Sequence, residues 1–135
     1  KDPQLAEVIV SYIKQHYPNL IILAPVLSEL AKASTAAGML TALEVFADRT
    51  YEDDGTLTPR TIEGSLITDP MQARAHVQQM IAEEAIVSRS GKKLSTPFHS
   101  ICLHSDTPNS VEISQQICIL LHSMGIQQQP LPELF

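Results

Sequence analysis

The sequence predicts an α/β protein built on parallel strands, and three observations predict it. Leu20–Ala24 is a continuous apolar run, as expected of a strand covered on both faces, with Leu43–Ala47 and Phe98–Leu103 as two further short strands. Stretches of helical period separate them, giving the order helix, strand, helix, strand, loop, helix, strand, helix. The first two strands and the helix between them form a βαβ unit, whose strands pair in parallel through a right-handed crossover. Three strands cannot close a barrel and would leave sheet edges open, so residues 1–135 read as a single partial domain of something larger.

Each element has its own signal. In the first helix Leu5, Val8, Ile9, Tyr12 and Ile13 repeat at the spacing of one helical face, after an Asp2-Pro3 start and before a Tyr17-Pro18-Asn19 stop. Pro25 ends the first strand, and Ser28 opens a helix that runs to about Ala37 with Gly38 as its terminal signal. After the second strand, residues 48–68 form a long polar connection, with Gly64-Ser65-Leu66-Ile67 as a short extended piece inside it. Asp69-Pro70 starts the next helix, whose stripe is Ala73, Val77, Met80, Ile81 and Ala85. Ser88–Ser95 reads as a turn between extended pieces. Thr107-Pro108 opens the last helix, with Ile113, Ile117, Leu120, Leu121 and Met124 facing inward and Gly125 past its end. The tail from Gln127 to Pro132 has no periodicity and is either loose or packed on a neighbour.

Composition excludes several functions. Hydrophobic residues make up 44% and charged residues 18%, which suits a packed globular chain. The net charge of −6, the lack of a basic cluster beyond Arg89-Ser90-Gly91-Lys92-Lys93, and 4% aromatic residues argue against nucleic acid. No apolar run approaches the roughly 18 residues of a membrane span, and Lys1-Asp2-Pro3 leads straight into a helix, so the cytoplasm is the expected location. Cys102 and Cys118 read as two buried thiols, not a disulfide framework.

Two stretches carry chemistry. Around the second strand's end, Glu44 to Arg60 combines Asp48, Arg49, Tyr51, Glu52, Asp53, Asp54 and Arg60, with Asp54-Gly55 as a turn. A strand that opens into a charged loop is where α/β folds place binding and catalysis, although a solvated surface loop would read the same way. Alternation puts Glu44, Phe46 and Asp48 on one face; a strand glutamate there is either at a solvated end or a polar member of a barrel interior. Arg49 and Arg60 suit a carboxylate or phosphate, or equally pair with Glu52, Asp53 or Asp54. The second stretch is Ser100 to Pro108. Ser100, Cys102 and His104 share a face, and His104 and Asp106 fall at the strand's end before a helix N-terminus, where backbone donors suit an anion. His104 can be a general base, a general acid or a metal ligand there, or a hydrogen-bonded structural histidine; Asp106 can cap the helix instead. Cys102 reads as a small buried hydrophobe, and His16, His76, His99 and His122 as structural or exposed.

These two stretches resemble the signature segments of a known family. Glu44-Val45-Phe46-Ala47-Asp48-Arg49-Thr50-Tyr51 through Asp54-Gly55-Thr56-Leu57-Thr58-Pro59-Arg60 is similar to the long signature loop of the LamB/YcsF family. Ser100-Ile101-Cys102-Leu103-His104-Ser105-Asp106-Thr107-Pro108 resembles its Cys-x-His-Gly-Asp-Thr-Pro segment, with Ser105 where the family usually has glycine. The resemblance implies the C-terminal portion of an irregular (β/α), TIM-like barrel related to glycoside hydrolases and deacetylases, without the family's N-terminal acidic and histidine motifs. It implies the A component of an ATP-dependent 5-oxoprolinase, a cytoplasmic protein that opens the lactam of 5-oxoproline to glutamate with further subunits, with a homo-oligomer left open. Catalytic roles then fall to His104, Asp106 and Asp48, with Asp106 orienting His104 or acting directly and Asp48 as a second carboxylate. Substrate binding falls to Arg49, Tyr51, Asp54 and Arg60, with ATP as co-substrate. A divalent metal, with His104 as its candidate ligand, is left open by the superfamily. The alternatives are a metal-dependent, deacetylase-like carbohydrate enzyme and a non-catalytic scaffold subunit. The 135-residue chain alone is expected to be inactive.

Overall fold

The computed structural model describes residues 1–135. Its helices are α1 (Pro3–His16), α2 (Glu29–Ala36), α3 (Pro70–Glu83) and α4 (Ser110–Ser123), and its strands are β1 (Ile22–Pro25), β2 (Thr41–Phe46), β3 (Ala85–Val87), β4 (Lys93–Ser95) and β5 (Ser100–Cys102). Strands β1, β2 and β5 form a parallel sheet in that order, and β3 and β4 form a separate antiparallel hairpin. The expected parallel α/β architecture is present, while three strands leave the sheet open.

The sheet advances in one direction, so two right-handed crossovers put their helices on the same face. Register places Ile22, Ala24, Leu43, Val45 and Ile101 on that face. Ile22 and Ala24 pack with Val10 and Ala31 of α1 and α2, and Val45 packs with Val77, Ile113 and Ile117 of α3 and α4. The other face carries Leu23, Pro25, Glu44, Phe46, Ser100 and Cys102. Leu23 is 43% exposed, so β1 is covered on one face, not on both as its unbroken apolar run suggested.

The helix boundaries follow their caps. The carboxylate of Asp2 accepts from Leu5 N, Ser28 Oγ from Ala31 N, and Asp69 from Gln72 N. The expected inward face of α1 is corrected: Ala6 and Val10 are buried and Ile13 packs against the cluster around Val10 as expected, whereas Leu5, Val8, Ile9 and Tyr12 are exposed. The α3 stripe also ends early, because Glu84 turns left-handed at φ 45° and passes Ala85 into β3. The last helix starts at Ser110, not at Thr107, since Asn109 adopts φ 61° and breaks the turn. Met124, expected inward, is 40% exposed at the C-cap. The tail packs on its own chain, with the Phe135 ring 5.3 Å from that of His99.

Candidate functional site

Residues 48–68 form an ordered platform after β2. Ile67 N donates to Asp48 O, Thr50 N to Ser65 O and Thr58 N to Thr50 O, so the loop is laced by its own backbone. Gly55 holds the Asp54 turn at φ 82°, and an added Cβ would lie 2.9 Å from Leu27 Cδ1, so the turn requires glycine on two counts. The expected extended piece is present as an antiparallel bridge between Arg49 and Leu66.

Asp48 projects from the end of β2 and is wholly buried. Its carboxylate lies 3.0 Å from His104 Nδ1 through both oxygens and accepts from His104 N at 3.2 Å and from Thr107 Oγ1 at 2.5 Å. The carboxylate can only accept, so the proton of a neutral His104 sits on Nδ1 and Nε2 keeps its lone pair. The His104 ring stacks on Phe46 at 5.6 Å, and its side chain is 27% exposed. The result is an imidazole fixed on two sides with its reactive nitrogen left free. It can take up or deliver a proton at the carboxyl end of the parallel strands.

The structure redistributes the other expected roles. Asp106 does not orient His104; that contact belongs to Asp48. Asp106 instead pairs with Arg60 at 3.1 Å, and this exposed pair clasps the two loops; the Arg60 bond holds the Asp106 carboxyl below its usual range. Asp48 is no second solvent-facing carboxylate, because it lies beneath His104. Arg49 is buried and donates through Nη2 to Thr58 O at 2.6 Å and through Nε to Ser65 O at 3.3 Å. It is a staple for the loop, not an anion ligand. Tyr51 is corrected in the same way. It is 1% exposed, its hydroxyl accepts from Phe46 N at 2.8 Å, and burial raises its pKa. Asp54 accepts from Thr56 N and Oγ1 and pairs with Lys1, which depresses its pKa. It shapes the turn.

Several contributors were missed in the sequence. Thr107 reads as a helix start, though it stands within the His104 motif. Phe46 reads only as sharing a strand face with Glu44 and Asp48, and the serines at 88 and 90 as turn residues, yet both hydroxyls donate to Asp53, at 2.5 and 2.6 Å, and lower its pKa. That contact ties the β3–β4 hairpin to the loop. On the open sheet face Ser100 Oγ donates to Glu44 Oε1 at 3.3 Å, and burial raises the pKa of the neighbouring Cys102 thiol. Cys118 is exposed, contrary to its reading as a buried thiol. No three His, Cys, Asp or Glu side chains converge, and the Asp48 oxygens are already committed to donors. These residues by themselves do not fit a metal.

A one-sided parallel sheet with a buried Asp48 carboxylate against a partly exposed His104 at its strand ends defines an α/β protein with an Asp–His pair at the carboxyl edge of its sheet. The sequence model of the LamB/YcsF family matches residues 1–135, and the chain belongs to that family. It is 40% identical over 134 residues to the 5-oxoprolinase A component of Azoarcus sp. (strain BH72), covering 99% of this chain and 52% of that protein. To the 5-oxoprolinase A component of Clostridium beijerinckii it is 39% identical over 135 residues, covering 100% and 53%. Both relatives are named as subunits, and the chain spans about half their length. Its fold matches the crystal structure of a lactam utilization protein from Thermus thermophilus with a TM-score of 0.81 and 26% identity, over 96% of this chain and 51% of that one. No helix is long and apolar enough to cross a membrane.

Proposed function

We propose that this chain supplies the proton-transfer site of a cytoplasmic ATP-dependent 5-oxoprolinase, which hydrolyses the lactam of 5-oxoproline to glutamate. The observation that carries this reading is the buried Asp48 carboxylate on His104 Nδ1, which leaves Nε2 outward at the strand ends. The names of the relatives support the substrate class, and their designation as subunits supports further subunits as partners. Advance of the sheet in one direction, with helices on one face, supports a place in the wall of a (β/α) barrel.

Opening a lactam requires a proton to be drawn from attacking water and one to be delivered to the departing ring nitrogen. His104 Nε2 is the group we assign to both tasks in turn, with Asp48 stabilising the imidazolium formed between them. Arg60 is the cation we assign to the substrate carboxylate: its pair with Asp106 is exposed and exchangeable, whereas the Arg49 guanidinium is buried on the loop. ATP enters as the co-substrate that activates the lactam carbonyl.

The reading is tested by supplying 5-oxoproline to the full-length protein reconstituted with its partner subunits. Glutamate release that requires ATP is the expected result. No release with all subunits bound would overturn it. Deacetylation of an acetylated sugar in the same preparation would restore the carbohydrate-enzyme alternative.

A further inference from the structure

We propose that Thr107 is a positioning residue that sets the tautomer and orientation of His104 through Asp48. The inference rests on the reading of His104 as the proton-transfer group. A buried carboxylate is costly unless its lone pairs meet donors, and Asp48, at 0% exposed, draws its donors from the 104–107 turn alone. One of them, His104 Nδ1, belongs to the ring being oriented, and the main-chain N–H of His104 is fixed by the backbone but reaches only Oδ2, at 3.2 Å. The hydroxyl of Thr107 is the one side-chain donor besides the ring itself, and it makes the shorter bond to Oδ2. It donates to Oδ2 at 2.5 Å, leaving both oxygens within 3.0 Å of Nδ1.

The hydroxyl is itself held in place. Thr107 is 4% exposed, its N–H donates to His104 O at 3.3 Å, and its carbonyl accepts from Ser110 N at 3.1 Å. Pro108 disfavours helical backbone at Thr107, and β-branching restricts its χ1. The fixed rotor, the buried acid and the imidazole therefore form one chain in which Thr107 touches no reacting atom and yet decides what His104 presents. Serine can replace threonine in this role because it keeps the donor. Valine cannot, although it keeps the shape.

The test uses full-length protein labelled with 15N at histidine, with the His104 signals identified by their loss in His104→Gln. At mildly alkaline pH the wild-type ring is expected in the Nδ1–H form, as is that of Thr107→Ser, while Thr107→Val shows a mixture of the two tautomers. A wild-type ring in the Nε2–H form would overturn the proposal whether or not a variant folds. A folded Thr107→Val with an unchanged Nδ1–H signature would overturn it as well. In the reconstituted assay kcat is expected to fall at least tenfold in Thr107→Val, with KM nearly unchanged and activity restored by serine. The tautomer is read without turnover, so its failure is separate from any failure of the 5-oxoproline assignment.

Discussion

At the scale of single residues, burial decides what each polar group can do. Tyr51 and Asp48 lie three residues apart on one loop and both are buried, yet only Asp48 hydrogen-bonds a side chain that reaches solvent. The Tyr51 hydroxyl accepts from a backbone N–H, so Tyr51→Phe strands a buried donor and is expected to lower unfolding free energy by about 1–3 kcal/mol in denaturant titrations. His76 is a second case. Its Nε2 is buried without a hydrogen-bond partner, and burial holds its pKa below the ordinary 6.5. The unfolded chain therefore binds the proton more readily. Stability from this group is complete above about pH 6.5 and is lost as pH falls toward the folded value. His76→Leu is expected to flatten the pH dependence of the denaturation midpoint between about pH 7 and 5 relative to the wild type; equal slopes would show that another group is responsible. Residue identity in the sequence marked Asp48 and His104 as candidates, but not their contact, which comes from the β2–β5 pairing.

At the scale of elements, periodicity and capping fixed what local physics controls. The Asp2, Ser28 and Asp69 caps, the parallel strands and the extended piece near Leu66 follow from short-range signals. The inward face of α1 does not, because the apolar residues of this helix spread over more than one face and the packing of Val10 with Ile22 and Ala31 decides which turns inward. The roles of Arg49 and Asp106 were likewise invisible, since each depends on a chain segment distant in sequence: Thr58 and Ser65 for one, Arg60 for the other. If Arg49 staples the 48–68 loop, Arg49→Met should accelerate amide exchange across residues 50–66 while leaving α4 protected; unchanged exchange would remove that role. Gly55→Ala should strain the same loop at a positive φ and against Leu27. The expected cost is about 1–3 kcal/mol, read as a lowered thermal midpoint.

At the scale of the whole molecule, a sheet clothed on one face leaves the other free to carry Glu44, Ser100 and Cys102 beside the Asp48–His104 pair. The two signature loops meet only because β2 and β5 are sheet neighbours despite the long stretch between them. The composition and the order of elements made the parallel α/β class legible, whereas no local pattern states which strand neighbours which. The central claim is that the chemistry runs through His104 as oriented by Asp48. It is tested most directly by glutamate release from 5-oxoproline and ATP in the reconstituted full-length enzyme carrying Asp48→Asn or His104→Gln. A loss in kcat on the order of 10²–10⁴ is expected for either variant with the complex intact, and little further loss when the two are combined. Wild-type turnover in a folded, assembled His104→Gln enzyme would contradict it.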